Sequence, residues 1–195
     1  MHVILGTAHG YNVAGKQSPD GKLKEYQWSR EMCLMIKNRL LNEGIDCSID
    51  IESDFEKSVT NRISIVNSIS KKYNKNCIYV SIHINAAGKG NKWYNANGWT
   101  VWVCENCSEK SKDLALSLFN EADKSKLLGN RYIPQTKYMI ANYGVLKKTN
   151  CPAVLTENMF QDNKNDVDFL LSDEGKQKIC EIHVNGIKKF IDNLK

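Results

Sequence analysis

The sequence predicts a single α/β domain: a mostly parallel, twisted sheet of about six strands with helices on both faces. Three observations predict it. Short apolar runs alternate with longer stretches at helical spacing along most of the chain. Two of the runs, near residues 77–84 and 153–157, are almost wholly apolar, as strands buried on both faces are. The 195 residues are 42% hydrophobic and 25% charged, with 3 prolines and no low-complexity stretch, which suffices for one core and offers no linker. The whole chain, 1–195, is therefore expected to form one domain.

The elements follow in order. His2 to Gly6 is an apolar strand that breaks into Thr7-Ala8-His9-Gly10. A loop rich in Gly and Asn runs to Ser18-Pro19-Asp20-Gly21. A helix is predicted from Lys22 to Asn42, with Gly44 just past its end as a stop. Ile45 to Ile51 reads as a strand, and Val59 to Tyr73 as a helix with Ile63, Val66 and Ile69 at helical spacing. Cys77 to Ile84 is the central strand. In Gly98 to Cys104, Trp99, Val101 and Val103 alternate against Thr100 and Trp102. Ser108 caps a helix running to about Lys126. A strand is expected within Tyr138 to Leu146, and another over Ala153 to Glu157, entered through Pro152. The tail, Ser172 to Leu194, is a long amphipathic helix.

The formal net charge of +5 comes mostly from scattered lysines. No dense basic stripe with interleaved aromatics argues for a nucleic-acid partner. No apolar run is long enough to cross a bilayer, so membrane insertion is not expected. No signal peptide is visible at the start. The 7 cysteines read as mostly buried free thiols, and the lone pair Cys104-Glu105-Asn106-Cys107 lacks the partners of a zinc knuckle.

Three polar residues fall where apolar strands stop: His9, His83 and Glu157. If those strands are parallel, all three project from one sheet edge, where such folds place their sites. Glu25, sixteen positions after His9, joins them from the first turn of the following helix. Hydrolytic zinc takes three ligands from imidazole and carboxylate and keeps one position open. A further carboxylate then serves as proton carrier. Each residue also has a structural reading. His9 is a loop residue and Glu25 a first-turn carboxylate favoured by the helix dipole. His83 and Glu157, in apolar strands, require partners in any case. His2 and His183 are assigned to structure, His2 at a frayed start. Trp93, Tyr94, Trp99 and Trp102 are read either as sugar-stacking surface or as packing.

The motifs around these residues resemble those of the zinc-dependent N-acetylmuramoyl-L-alanine amidases of the amidase type 3 family. Val3-Ile4-Leu5-Gly6-Thr7-Ala8-His9-Gly10 looks like the family's strand closing in Gly-His-Gly, with Ala8 in place of the glycine. Gly21-Lys22-Leu23-Lys24-Glu25 resembles the segment carrying the glutamate ligand. Ser81-Ile82-His83-Ile84-Asn85-Ala86 is similar to the Ser-x-His-x-Asn-Ala motif, and Pro152-Ala153-Val154-Leu155-Thr156-Glu157 to the strand ending in the catalytic glutamate. Past it the family continues with a Gly-Phe pair, where this chain has Asn158-Met159-Phe160. The resemblance implies Zn2+ held by His9, Glu25 and His83, with Glu157 acting on the attacking water. It implies substrate contacts from Asn85 and Arg131. The reaction implied is hydrolysis of the amide between N-acetylmuramic acid and L-alanine in peptidoglycan. The protein would be made in the cytoplasm and act at the bacterial cell wall, secreted or released by a holin-type route. Two alternatives stand beside it: a zinc peptidase cutting the stem peptide, and a non-catalytic wall-binding module on the same fold.

Overall fold

The computed structural model describes residues 1–194; Lys195 lies outside the described residues. The chain runs β1 (His2–Thr7), α1 (Glu25–Asn42), β2 (Cys47–Ile49), α2 (Val59–Lys72), β3 (Cys77–Asn85), β4 (Thr100–Val103), α3 (Glu109–Lys124), β5 (Met139–Ile140), α4 (Gly144–Lys147), β6 (Ala153–Phe160), α5 (Lys164–Leu171) and α6 (Asp173–Asp192). One six-stranded sheet has the order β2-β1-β3-β6-β4-β5. β1, β2, β3 and β6 are mutually parallel. β4 pairs with β6 antiparallel and β5 follows β4. The single α/β domain with its mostly parallel sheet is thus as the alternation predicts.

Helices cover both faces. Val3, Leu5, Ile78, Val80 and Val154 pack in one core cluster with Met32 and Ile36 of α1, Leu118 of α3 and Ile187 of α6. Ile4, Tyr79 and Leu155 point the other way, toward Val66 of α2 and Leu146 of α4. The period-2 alternation of the central strands therefore feeds two cores. Each fully buried aliphatic contributes about 1.5–3 kcal/mol on removal from water. Ser108 caps α3 as expected, and Ser58, Asn163 and Ser172 likewise accept from a backbone N–H three residues on, at the starts of α2, α5 and α6.

The structure departs from the sequence reading in a few places. α1 starts at Glu25 rather than Lys22, because residues 17–24 close a turn in which Ser18 N–H donates to Leu23 O and Gln17 bridges Lys24. β6 continues beyond Glu157 to Phe160. α4 and α5 are short helices that the periodicity does not announce. His2 is not frayed: it is buried, its ring bonded to Asp46 and Ser48 and stacked on Tyr73 at 3.7 Å. For Trp99 the structure takes the packing alternative: it is fully buried in the core, its Nε1 donating to Asn158 Oδ1 at 2.8 Å.

Among the described residues, no helix is long and apolar enough to cross a membrane. The only grouping of three or more His, Cys, Asp or Glu side chains suited to a metal ion among those residues is His9, Glu25 and His83, so Cys104 and Cys107 take no part in one.

Candidate metal centre

The four parallel strands deliver their C-terminal ends to one edge of the sheet. β1 ends at Thr7, and two residues on His9 sits in a left-handed backbone conformation with φ 43°. A non-glycine residue there is strained and must be held. Arg30 of α1 does the holding: its guanidinium donates to Ala8 O at 3.1 Å and His9 O at 2.9 Å, and to Ser53 O at 2.6 Å on the loop after β2. Ser29 adds a second tie, accepting from Ala8 N–H at 2.8 Å and donating to Ile82 O at 2.6 Å. Gly10 lies so close to the loop after β2 that a Cβ there would come within 2.1 Å of Glu56 N.

Glu25, the first residue of α1, is buried at the same edge. Its Oε1 accepts from Ile84 N–H at 3.0 Å and lies 3.2 Å from His83 Nδ1. Its Oε2 has no hydrogen-bond partner, although His9 Nε2 is 3.6 Å away and Lys16 Nζ 3.9 Å. His83 is fixed on its other side by Ser81 Oγ, 3.1 Å from Nε2, and Asn158 Nδ2 donates to its carbonyl at 2.9 Å. Donor atoms of His9, Glu25 and His83 all lie within 4.8 Å of one another. Burial lowers the pKa of His9 to about 4 against the pull of Glu25, so its ring is neutral and its lone pair free at neutral pH. Burial would raise Glu25, but the hydrogen bond and charge of His83, with His9 and Lys16, hold it below the usual carboxylate range.

Glu157 stands opposite His83 in the β3–β6 register, one strand over. Its Oε2 is buried with no partner, and burial together with the charge of Glu25 pushes its pKa well up, Lys16 opposing. The strand stays aligned only to this point: the register shifts between His83 and Asn85, and Met159 takes a left-handed φ of 64°. This is where the resembled motif has its glycine; here a methionine bears the strain.

A cleft of about 290 Å³ opens over these groups, lined among others by His9, Lys16, Glu56, Arg62, His83 and Glu157. Tyr143, at the start of α4, overhangs it, its phenol pushed up in pKa by burial and then by Glu157. Beneath the floor, Asp50 accepts from Arg62 Nη1 at 2.6 Å, Tyr79 Oη at 3.0 Å and Thr7 N–H at 3.0 Å, a network without a signature in the sequence. Asn85 and Arg131 do not line this cleft: Asn85 Oδ1 accepts from Ala86 N–H, and the Arg131 guanidinium sits 5.2 Å over the Phe160 ring.

Fold and site together define an α/β protein with an imidazole–carboxylate–imidazole donor set, and a spare carboxyl beside it, at the C-terminal edge of a parallel sheet. The family model for N-acetylmuramoyl-L-alanine amidase, amidase type 3, matches residues 3–189, and the chain belongs to that family. The chain is 29% identical over 191 residues to the N-acetylmuramoyl-L-alanine amidase CwlM of Bacillus licheniformis, covering 97% of this chain and 68% of that one. It is 30% identical over 190 residues to the probable cell wall amidase LytH of Staphylococcus saprophyticus, covering 96% of this chain and 57% of that one. The chain thus spans 57 to 68% of these relatives' length. Among solved structures, an N-acetylmuramoyl-L-alanine amidase from Clostridium difficile 630 superposes with a TM-score of 0.84 at 22% identity, covering 100% of this chain and 98% of that one. The amidase Ami1 from Mycobacterium smegmatis gives 0.84 at 20% identity, covering 99% and 97%. At such identities the structural likeness speaks for the fold.

Proposed function

We propose that this chain is a zinc-dependent N-acetylmuramoyl-L-alanine amidase, hydrolysing the amide between the lactyl group of N-acetylmuramic acid and L-alanine in peptidoglycan. One observation carries the reading: donor atoms of His9, Glu25 and His83 converge within 4.8 Å, with a buried oxygen of Glu25 left unbonded, beside Glu157, whose Oε2 is likewise buried without a partner. A buried carboxylate oxygen without a donor is costly, and a divalent cation is what this donor set accommodates. His9, Glu25 and His83 would hold the ion. Bound there, zinc polarises the scissile carbonyl and makes water more acidic.

The remaining work falls to the chain's own groups. Ser81 sets the ring orientation of His83 through Nε2, leaving Nδ1 toward the centre. Glu157, whose proton affinity is raised by burial and by the charge of Glu25, takes a proton from the attacking water and delivers it to the departing alanine nitrogen. Lys16, shared by the cleft and the Glu25 ion pair, offsets the charge of the two carboxylates. The family names of the relatives support this reaction over scission within the stem peptide.

The test is digestion of purified sacculi with and without a zinc chelator, followed by mass spectrometry of the soluble products. Whole stem peptides with a free L-alanine amine are expected, and cut stem peptides would overturn the bond assignment. Glu157→Gln is expected to lose at least 100-fold in kcat while retaining equimolar zinc. Near-normal turnover in that variant would remove Glu157 from its role.

A further inference from the structure

Two loops that build the site also raise an aromatic pair beside it. Tyr11 is 62% exposed and Phe55 51% exposed, yet their rings meet edge to face at 5.8 Å and 73°. Val59, 54% exposed, adds an apolar side chain to the lining of the cleft. Exposed rings on a floppy loop carry little meaning, but these are braced. Tyr11 N–H donates to Asp54 O at 2.9 Å, and Glu56 N–H to Asn12 Oδ1 at 2.9 Å. Arg30 pairs with Asp54 at 3.1 Å while bonded to Ser53 O and His9 O. The backbone under both rings is thus tied down and the rings rest on each other, so a ligand stacking on the pair has less loop freedom to freeze. A rigid apolar patch contiguous with a polar cleft marks a binding surface.

The patch is joined to the chemistry on both sides. Phe55 adjoins Glu56, which lines the cleft, and Tyr11 shares a shallow groove with Lys16, which also lines it. We propose that Tyr11 and Phe55 form the platform on which the glycan strand of the substrate lies, next to the muramoyl ring. This rests on the amidase reading. Only a lactyl ether separates the scissile carbonyl from the sugar ring, so the glycan must leave the cleft over a wall close to His9, and this wall presents flat apolar faces. Pyranose rings offer an apolar C–H face to such surfaces and hydroxyls around their edge. Asn12 and Asp54 supply polar neighbours on the same two loops.

The experiment uses tetra-N-acetylchitotetraose, a soluble glycan without stem peptide, titrated into the intact protein by NMR or calorimetry. Binding is expected for the native chain and at least tenfold weaker for the Tyr11→Ala/Phe55→Ala double variant, with zinc content and circular dichroism unchanged. In parallel, KM for long soluble peptidoglycan chains is expected to rise about tenfold in the double variant, with kcat little altered. Chitotetraose binding to a native chain that releases no stem peptide would sink the amidase reading while leaving the platform. Unaltered KM and unaltered or absent sugar binding, in a chain that does act as an amidase, would overturn the platform. A double variant that instead loses association with a protein partner or with anionic vesicles would overturn it as well.

Discussion

Asp50→Ala tests how the floor of the site is built. The Asp50 side chain is shut off from solvent and takes donors from three residues: the Arg62 guanidinium at 2.6 Å, the Tyr79 phenol at 3.0 Å, and Thr7 through its N–H at 3.0 Å and its hydroxyl at 3.4 Å. Removing it strands a buried cation, which costs about 3–5 kcal/mol when one member of a buried pair is deleted. The phenol and the amide each lose a buried acceptor, worth about 1–3 kcal/mol apiece, with part of that recovered by relaxation. A loss of about 5 kcal/mol would consume most of the stability of an ordinary domain. Asp50→Asn keeps the size and one carbonyl acceptor but discards the charge, so a smaller loss of about 2–4 kcal/mol is expected. Urea unfolding followed by tryptophan fluorescence reads both values from the midpoint, provided the slope is unchanged. An Asp50→Ala variant within about 1 kcal/mol of the native chain would refute the account. It would mean that Arg62 escapes to the cleft at little cost, and that β1 needs no anchor below His9.

Three further outcomes follow from the same contacts. His183 is wholly buried between Thr156 Oγ1 and Ile179 O, and burial lowers its pKa to about 4, so the unfolded chain takes up its proton first as pH falls. Its contribution is intact above pH 6.5 and lost down to about pH 4, some ~3 kcal/mol in all; denaturation midpoints across that range should fall, and His183→Gln should flatten the fall. Gly10→Ala forces a methyl against the Glu56 backbone, so a loss of about 1–3 kcal/mol with weakened zinc retention is expected on dialysis, and unchanged retention would count against the tight loop contact. Arg30→Lys cannot bond Ala8, His9 and Ser53 together, so zinc affinity measured by competition with a chelator should drop about 10- to 100-fold while the circular dichroism spectrum is kept.

The sheet was legible because its central strands are almost wholly apolar, a pattern that burial on both faces imposes. The candidate residues stood out for the same reason inverted: a histidine at position 83 and a glutamate at 157 interrupt such runs where only a partner justifies them. Other features lie beyond periodicity. The direction of β4 depends on the long excursion from Asn85 to Thr100, whose path is set by tertiary contacts such as Asp162 accepting from Ala87 and Gly88 N–H. α5 spans two turns and draws its apolar residues from a short, mixed segment, too brief for a helical period to show. Composition does not tell the exposed Tyr11 from the buried Trp99, because exposure belongs to the loop and not to the ring. Asp50 and Arg62 look like ordinary surface charges until the fold buries them together.

The two oxygens of Glu25 are not equivalent, and this bears on the ion proposed for the site. Oε1 is already committed to the Ile84 amide, so the carboxylate presents one unspent oxygen, flanked by two nitrogens. Calcium gathers six to eight oxygens in a loose shell, and magnesium insists on an octahedron of them. Neither finds its complement here. On the proposed reading, a set of two imidazoles and one carboxylate would favour borderline-soft ions of low coordination number, even where hard alkaline-earth ions are far more abundant.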